Sequence, residues 1–248
     1  FTAQAPQIII SSKNDSWAYF RIAKYHSRPA HADQLHLDLW WRGINIAQDA
    51  GTYSYNEPIP WNNSLTSAMV HNTISLDGHE FMDRAGRFLY VNWAQAKIVD
   101  AQNPEEGPYT SLTAQHDGYR KKSILHTRKV TSLSDGRWEV IDRLEGPSNH
   151  THKARLQWLL PDWEYEIELL TDQTDLSGYL LRLKSPFGWV TLITGTPSVH
   201  EGKQSAQGNQ GVLVRAGRRL YGSVEKSPLN GWISPTYGEK IPALAWIL

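Results

Sequence analysis

Apolar and polar residues alternate with a period of two over much of the chain, the pattern of strands that bury one face. Residues 17–22 alternate in this way. So do residues 35–42, where Leu35, Leu37, Leu39 and Trp41 share one face and His36, Asp38, Trp40 and Arg42 the other. A strand over 44–48 follows. Asp77-Gly78 lies between 72–76 and 79–81, and Asp135-Gly136 between 126–133 and 137–144. Both dipeptides tolerate the positive φ of a tight hairpin turn. Further strands are expected over 154–160, 164–170, 179–184, 189–194, 211–216, 219–224 and 243–248. No long window carries a helical stripe, and polar stretches at 103–108 and 204–211 read as loops rather than linkers. Frequent turns between short strands predict an all-β chain, an antiparallel two-layer β-sandwich forming one domain over 1–248.

Composition narrows the function. Lys+Arg and Asp+Glu are 25 each, so the net charge is zero and no bulk field recruits nucleic acid. The absence of cysteine excludes disulfides, thiolate metal sites and a cysteine nucleophile. No apolar run approaches the ~20 residues of a membrane helix. Eleven Trp and eleven Tyr against five Phe favour aromatics with a polar handle, which suit sugar faces and β cores alike. The chain opens on Phe1 without a signal-peptide pattern and ends on the apolar run 241–248, so it is read as a piece of a longer or processed protein.

Ten histidines are scattered along the chain, and two of them stand out with one aspartate, each at a strand edge or turn. His31 lies in Arg28-Pro29-Ala30-His31-Ala32-Asp33, Asp49 follows the 44–48 strand, and His71 opens His71-Asn72-Thr73. Two imidazoles and one carboxylate are a normal zinc set with one position left for water or substrate. Spacing alone does not separate such a set from ordinary polar side chains.

The words around these residues do more. His31-Ala32-Asp33-Gln34-Leu35-His36-Leu37-Asp38-Leu39, then Gly43, then Asp49-Ala50-Gly51-Thr52-Tyr53-Ser54-Tyr55 resemble the C-terminal domain of heparinase II/III-like polysaccharide lyases. His71-Asn72-Thr73 with Asp77-Gly78, His116-Asp117-Gly118-Tyr119 and His126-Thr127-Arg128-Lys129-Val130 follow in the family's order. The resemblance is specific over 16–146 and looser to Leu248.

It implies a β-sandwich that closes the cleft of an N-terminal α/α toroid and holds a divalent metal, usually zinc, through His31, Asp49 and His71. It also implies β-elimination on a uronate-containing polysaccharide, in the periplasm or outside the cell. The toroid is not in this sequence, so the isolated chain is expected to be slow or inert. The family's His-x-His word reads Pro29-Ala30-His31 here, and proline has no side-chain proton to give or take. His26 or Arg28 would have to substitute, Arg28 by neutralising a substrate carboxylate.

Around the metal residues, Tyr53, Tyr55 and Trp61 are candidates for a sugar-facing shelf, and His116 and Tyr119 for cleft-facing contacts. Arg84 and Arg87 are candidate contacts for acidic sugar. His126 and Arg128 share one strand face, read as surface. A non-catalytic carbohydrate-binding sandwich, or an interaction domain with exposed aromatics, fits the same pattern.

Overall fold

In the computed structural model, which describes residues 7–11, 15–102, 109–147, 150–170, 176–197, 210–223 and 227–248, the chain is a series of antiparallel strands. Strands β1 (Gln7–Ser11), β2 (Ser16–Arg21), β3 (Leu37–Trp41) and β4 (Ile44–Ala47) form a first sheet in sequence order. Two short 3-10 turns, Ser64–Thr66 and Ala68–Val70, precede β5 (Ile74–Leu76). β6 (Asp83–Gly86) and β7 (Leu89–Val91) make a small hairpin. β8 (Ala96–Gln102), β9 (Ser111–His116), β10 (Leu125–Ser132) and β11 (Trp138–Glu145) meander into a second sheet.

After β12 (Ala154–Leu160), the strands β13 (Tyr165–Leu170), β14 (Leu176–Ser185) and β15 (Gly188–Pro197) form a sheet of their own. β16 (Val212–Arg215) and β17 (Arg218–Tyr221) are a hairpin, β18 (Trp232–Ile233) pairs with β19 (Ile241–Pro242), and β20 (Leu244–Ile247) is the last strand. The remaining sheet is assembled from distant pieces in the order β17-β16-β20-β12-β5. The whole is an antiparallel β-sandwich, as the alternation predicts.

The main core lies between the sheets. Phe20 and Leu37 meet Leu112, Ala114 and Val130, and these meet Trp158, Leu181, Leu213 and Trp246. Each such side chain contributes roughly 1.5–3 kcal/mol by leaving water. Trp246 keeps its indole N–H satisfied by donating it to Thr194 Oγ1 at 3.0 Å.

The five-stranded sheet is buried on its other face too. Leu159, Val212, Val214, Ala245 and Ile247 pack there against Ala50, Leu65 and Val70. That double burial is why Leu244–Ile247 is a continuous apolar run rather than an alternating one. The segment covering this face, residues 50–70, lies between the Asp49 and His71 positions.

The expected hairpins form. Asp77 and Gly78 both take positive φ, 54° and 71°, but only a single bridge, Leu76 to His79, continues beyond the turn. β10 and β11 pair from Leu125↔Glu145 to Ser132↔Trp138 around Asp135-Gly136. The expected loop at 103–108, residues 204–209 of the second loop and Val224 of the 219–224 strand lie outside the described residues.

Candidate metal centre

Three loops deliver the candidate ligands, and buried hydrogen bonds fix each of them. The β2–β3 loop carries His31. Gln34, fully buried, accepts from Ala23 N–H at 2.9 Å and donates to the carbonyls of Ala23 and Ala94. Ala32 N–H donates to the Thr66 carbonyl, which ties this loop to the 64–70 turns. Asp49 follows β4, where Gln48 N–H donates to the Leu159 carbonyl. His71 follows the second 3-10 turn and its side chain is fully buried.

Asn72 holds these pieces together. Its Nδ2 donates to the carbonyls of Leu37 and Gln48 at 2.9 and 3.0 Å, and its Oδ1 accepts from Leu159 N–H at 2.7 Å. One buried amide therefore sets β3, the residue before Asp49, β12 and the residue after His71 in register. An amide so saturated inside a protein is specific as well as stabilising.

The ligand atoms converge. One donor atom from each of His31, Asp49 and His71 lies within 4.8 Å of the others. His31 Nδ1 is 3.3 Å from His71 Nε2, which is 3.4 Å from Asp49 Oδ2. His71 Nδ1 sits 2.7 Å from the Ser67 carbonyl and must donate to it. That leaves Nε2 as the atom facing the cluster. Asp49 turns Oδ1 to Gly51 N–H at 2.6 Å, and this leaves Oδ2 facing inward.

Electrostatics match the geometry. Burial alone would lower the His71 pKa, but the Asp49 carboxylate outweighs it and raises the group to about 9. Burial alone would raise the Asp49 carboxyl, and the neighbouring imidazolium of His71 reverses this and lowers it. His31 is lowered, first by burial and then by the positive His71. The cluster thus favours one proton held between the Asp49 carboxylate and the imidazoles. Two imidazole nitrogens and a carboxylate oxygen are a donor set that zinc accepts in place of that proton.

The other candidate residues take different places in the fold. His26 and Arg28 are exposed on the loop leading to His31, and Pro29 between them and His31 is buried. Tyr53 and Trp61 pack edge to face with centroids 5.6 Å apart, and Trp61 meets Trp232 in the same way. The Lys240 ammonium lies 4.0 Å from the Tyr53 centroid, 4.3 Å from that of Trp61 and 5.4 Å from that of Trp232. Tyr55 is exposed beside Phe88 and Tyr237. Gly51 is obligatory in this loop, because a Cβ there would lie 2.4 Å from the Ser234 carbonyl oxygen. Arg84 is not free for a ligand but donates to the carbonyls of Asn62 and Asn63, and Arg87 bonds Asn56 Oδ1.

His116 and Tyr119 are interior rather than cleft-facing, at 1% and 3% exposure. Tyr119 donates its hydroxyl to the Ile74 carbonyl. His126 and Arg128 do share a face, but it is the inward one, and both are fully buried. Their charge is matched inside: Asp142 accepts a bidentate pair from Arg128 Nε and Nη2 at 2.8 Å each and one bond from His126 Nε2 at 2.7 Å. Arg128 Nη1 reaches across to the carbonyls of Leu35 and Asn72.

His36 belongs to the centre although strand alternation places it on the polar face. It is 2% exposed, and its ring lies 5.2 Å from that of His71. Period two assigns residues to faces, and it carries no information on whether a loop covers the face. The neighbouring His71-Asn72 segment is that cover.

A family model described as heparinase II/III-like, C-terminal, matches residues 5–245. No curated protein matches the chain. Among solved structures, a heparinase III gene product aligns with all of this chain and 32% of its own at 14% identity, with a TM-score of 0.62. The heparan sulfate lyase HepC from Pedobacter heparinus aligns over 95% of this chain and 30% of its own at 16% identity and a TM-score of 0.56. A further heparinase III gives 94%, 30%, 12% identity and 0.54. At such identities the likeness shows the shared fold. The chain spans about 30% of the length of these neighbours.

Proposed function

The chain belongs to the heparinase II/III-like C-terminal domain family, and from that premise we propose that it is the zinc-holding sandwich half of a lyase for acidic polysaccharide. The observation that carries this reading is the convergence of His31, Asp49 and His71, with donor atoms within 4.8 Å. Those three residues would hold the ion. When bound, it supplies a fixed divalent charge and Lewis acidity, and it ties three loops into one cleft wall.

The reaction proposed for the full-length protein is β-elimination from a uronate. A hydrogen α to the carboxylate leaves as a proton and the substituent at carbon 4 departs with its oxygen. The carboxylate must be neutralised while negative charge develops, and a base and an acid must move protons on the sugar. On this chain, the exposed Arg28 guanidinium is the group that neutralises and the exposed His26 imidazole is the group that exchanges a proton. Tyr53, Tyr55 and Trp61 offer ring surface to the sugar, and Lys240 adds a positive charge beside them. Pro29 supplies no proton, so the main proton-transfer groups belong to an N-terminal toroid, a partner from the same full-length protein. Periplasmic or extracellular placement follows from the substrate class.

The test is elemental analysis of the purified chain beside a His31→Ala, His71→Ala double variant, together with ultraviolet detection of unsaturated uronate from heparan sulfate and alginate. The expected result is about one zinc per chain, lost in the double variant, and no unsaturated product from the chain alone. Absence of zinc after dialysis against zinc overturns the metal reading and favours a carbohydrate-binding module. Turnover by the chain alone overturns the need for the toroid.

A further inference from the structure

We infer that His36 is a positioning residue of the metal centre, locked in one tautomer that keeps it off the ion while it holds two of the ligand-bearing segments. The inference rests on the metal reading above and goes beyond it to a residue outside the ligand set.

The argument starts from an atom that has only one possible role. The backbone N–H of Asn72 donates to His36 Nδ1 at 2.9 Å. A backbone amide cannot accept, so Nδ1 carries no hydrogen, and the ring hydrogen sits on Nε2. That Nε2–H donates to Asp38 Oδ1 at 3.1 Å, and Nε2 also stands 3.5 Å from Asp49 Oδ2. His36 is therefore a donor to Asp38, with the same N–H edge standing beside Asp49, and an acceptor from the residue after His71. It has no lone pair to offer a metal.

His71 shows the opposite arrangement. Its Nδ1 donates to the Ser67 carbonyl and its Nε2 faces the cluster. Two buried histidines with rings 5.2 Å apart are thus sorted by their backbone partners, one into a ligand and the other into a brace. The brace acts at both ends: it fixes the Asn72 amide, and so the direction from which His71 enters, and it sets a polar N–H edge, bonded to Asp38, 3.5 Å from the Asp49 oxygen that must turn inward. Donors behind a ligating group of this kind set its orientation, and their loss costs about 10–100-fold in metal affinity.

The two halves of this role can be separated chemically. Asparagine places an amide oxygen as many bonds from Cα as His36 Nδ1, so His36→Asn keeps the acceptor for Asn72 N–H and removes the Nε2 donor that bonds Asp38 beside Asp49. Glutamine places its amide nitrogen as many bonds from Cα as Nε2, so His36→Gln keeps the donor and removes the acceptor. The experiment titrates zinc into the wild-type chain and both variants at one pH, follows thermal unfolding of the metal-free proteins, and records the visible spectrum after loading with cobalt.

The expected result for His36→Asn is a folded protein with roughly 10–100-fold weaker zinc binding and a shifted cobalt spectrum. His36→Gln is expected to unfold at lower temperature yet keep zinc affinity and cobalt spectrum close to wild type. Unchanged zinc binding in a folded His36→Asn overturns the inference and leaves the ligand set intact. A folded His36→Gln that loses zinc as badly as a ligand variant overturns it too, since His36 would then act as a ligand. No zinc on the wild-type chain overturns the metal reading, and this inference with it.

Discussion

Two buried histidine clusters share the interior of this chain, and their hydrogen bonds finish differently. In the first, Asp142 accepts from His126 Nε2, His126 Nδ1 then accepts from His116 Nε2 at 3.0 Å, and His116 Nδ1 accepts from Gly118 N–H at 3.0 Å. Every ring nitrogen has a partner and both rings are neutral. In the second, His31 Nδ1, Asp49 Oδ2 and His71 Nε2 face one another, and which nitrogen donates depends on the His31 tautomer and on the charge of His71. The first cluster is saturated and behaves as structure. The second turns a carboxylate and two imidazoles toward one point, the arrangement proposed above as a cation site. Residue types are the same in both, but the Asp49 side chain is 36% exposed against 11% for Asp142, so solvent access and the balance of donors against acceptors together distinguish them.

The largest break in this comparison is at Arg128, which neutralises Asp142 on one side and holds the carbonyls of Leu35 and Asn72 on the other. Arg128→Met leaves a buried carboxylate without its cation, and the expected loss is about 3–5 kcal/mol in denaturant unfolding. Arg128→Lys does not restore it, because a lysine cannot make the bidentate pair.

Zinc separates the clusters in the opposite direction. At a free concentration about a hundred times Kd it is expected to add about 2.7 kcal/mol of stability. A His71→Ala variant loses that increment, while His126→Gln, altering only the saturated cluster, keeps it. Calorimetric unfolding with and without zinc reads both.

A smaller effect tests the packing that closes the first cluster. A Cβ at Gly118 would lie 2.5 Å from Phe81 Cβ and 2.9 Å from His116 Nδ1. Gly118→Ala is expected to cost about 1–3 kcal/mol by overpacking, with zinc affinity unchanged.

The shallowest effect is the pH profile of the metal-free chain, where the clusters pull in opposite senses. His116 and His126 are lowered from 6.5, chiefly by burial. Below that value the unfolded chain takes up protons that the folded rings refuse, so stability falls as pH falls; His31, also lowered, adds to this limb. His71 is raised to about 9, so its contribution is complete below 6.5 and is lost as pH rises through 9. The melting temperature is therefore expected to peak near neutrality. His71→Ala removes the alkaline limb and leaves the acid one, and a flat alkaline limb in the wild type counts against the Asp49–His71 pairing.

Much of the framework was legible in the sequence. The Asp135-Gly136 turn led directly to the β10–β11 hairpin, whose strands alternate in burial, and the pattern at 35–42 located β3, although its residues 38–41 are all half-buried. The ligand set at His31, Asp49 and His71 came from local words, and the structure brings those residues together. Arg128 and His36 were misplaced for one reason. Charged and polar side chains on a strand read as outward unless a partner is known, and their partners, Asp142 and Asn72, lie 14 and 36 residues away. The apolar stretch at Leu244–Ile247 hid its position between two cores in the same way, since both its faces are dry.

The contact between Tyr53 and Ser234 also orders events in time. Tyr53 N–H donates to Ser234 Oγ across 181 positions of sequence, and Ser234 N–H returns a bond to the Ala50 carbonyl. The loop that follows Asp49 cannot be seated until the stretch around Ser234 has left the ribosome, by which time the first two sheets can already have paired. Closing so long a loop comes late and slowly. The centre is then among the last parts of the chain to be completed during synthesis, and nascent chains halted before Ser234 should carry the early strands but no organised cation pocket.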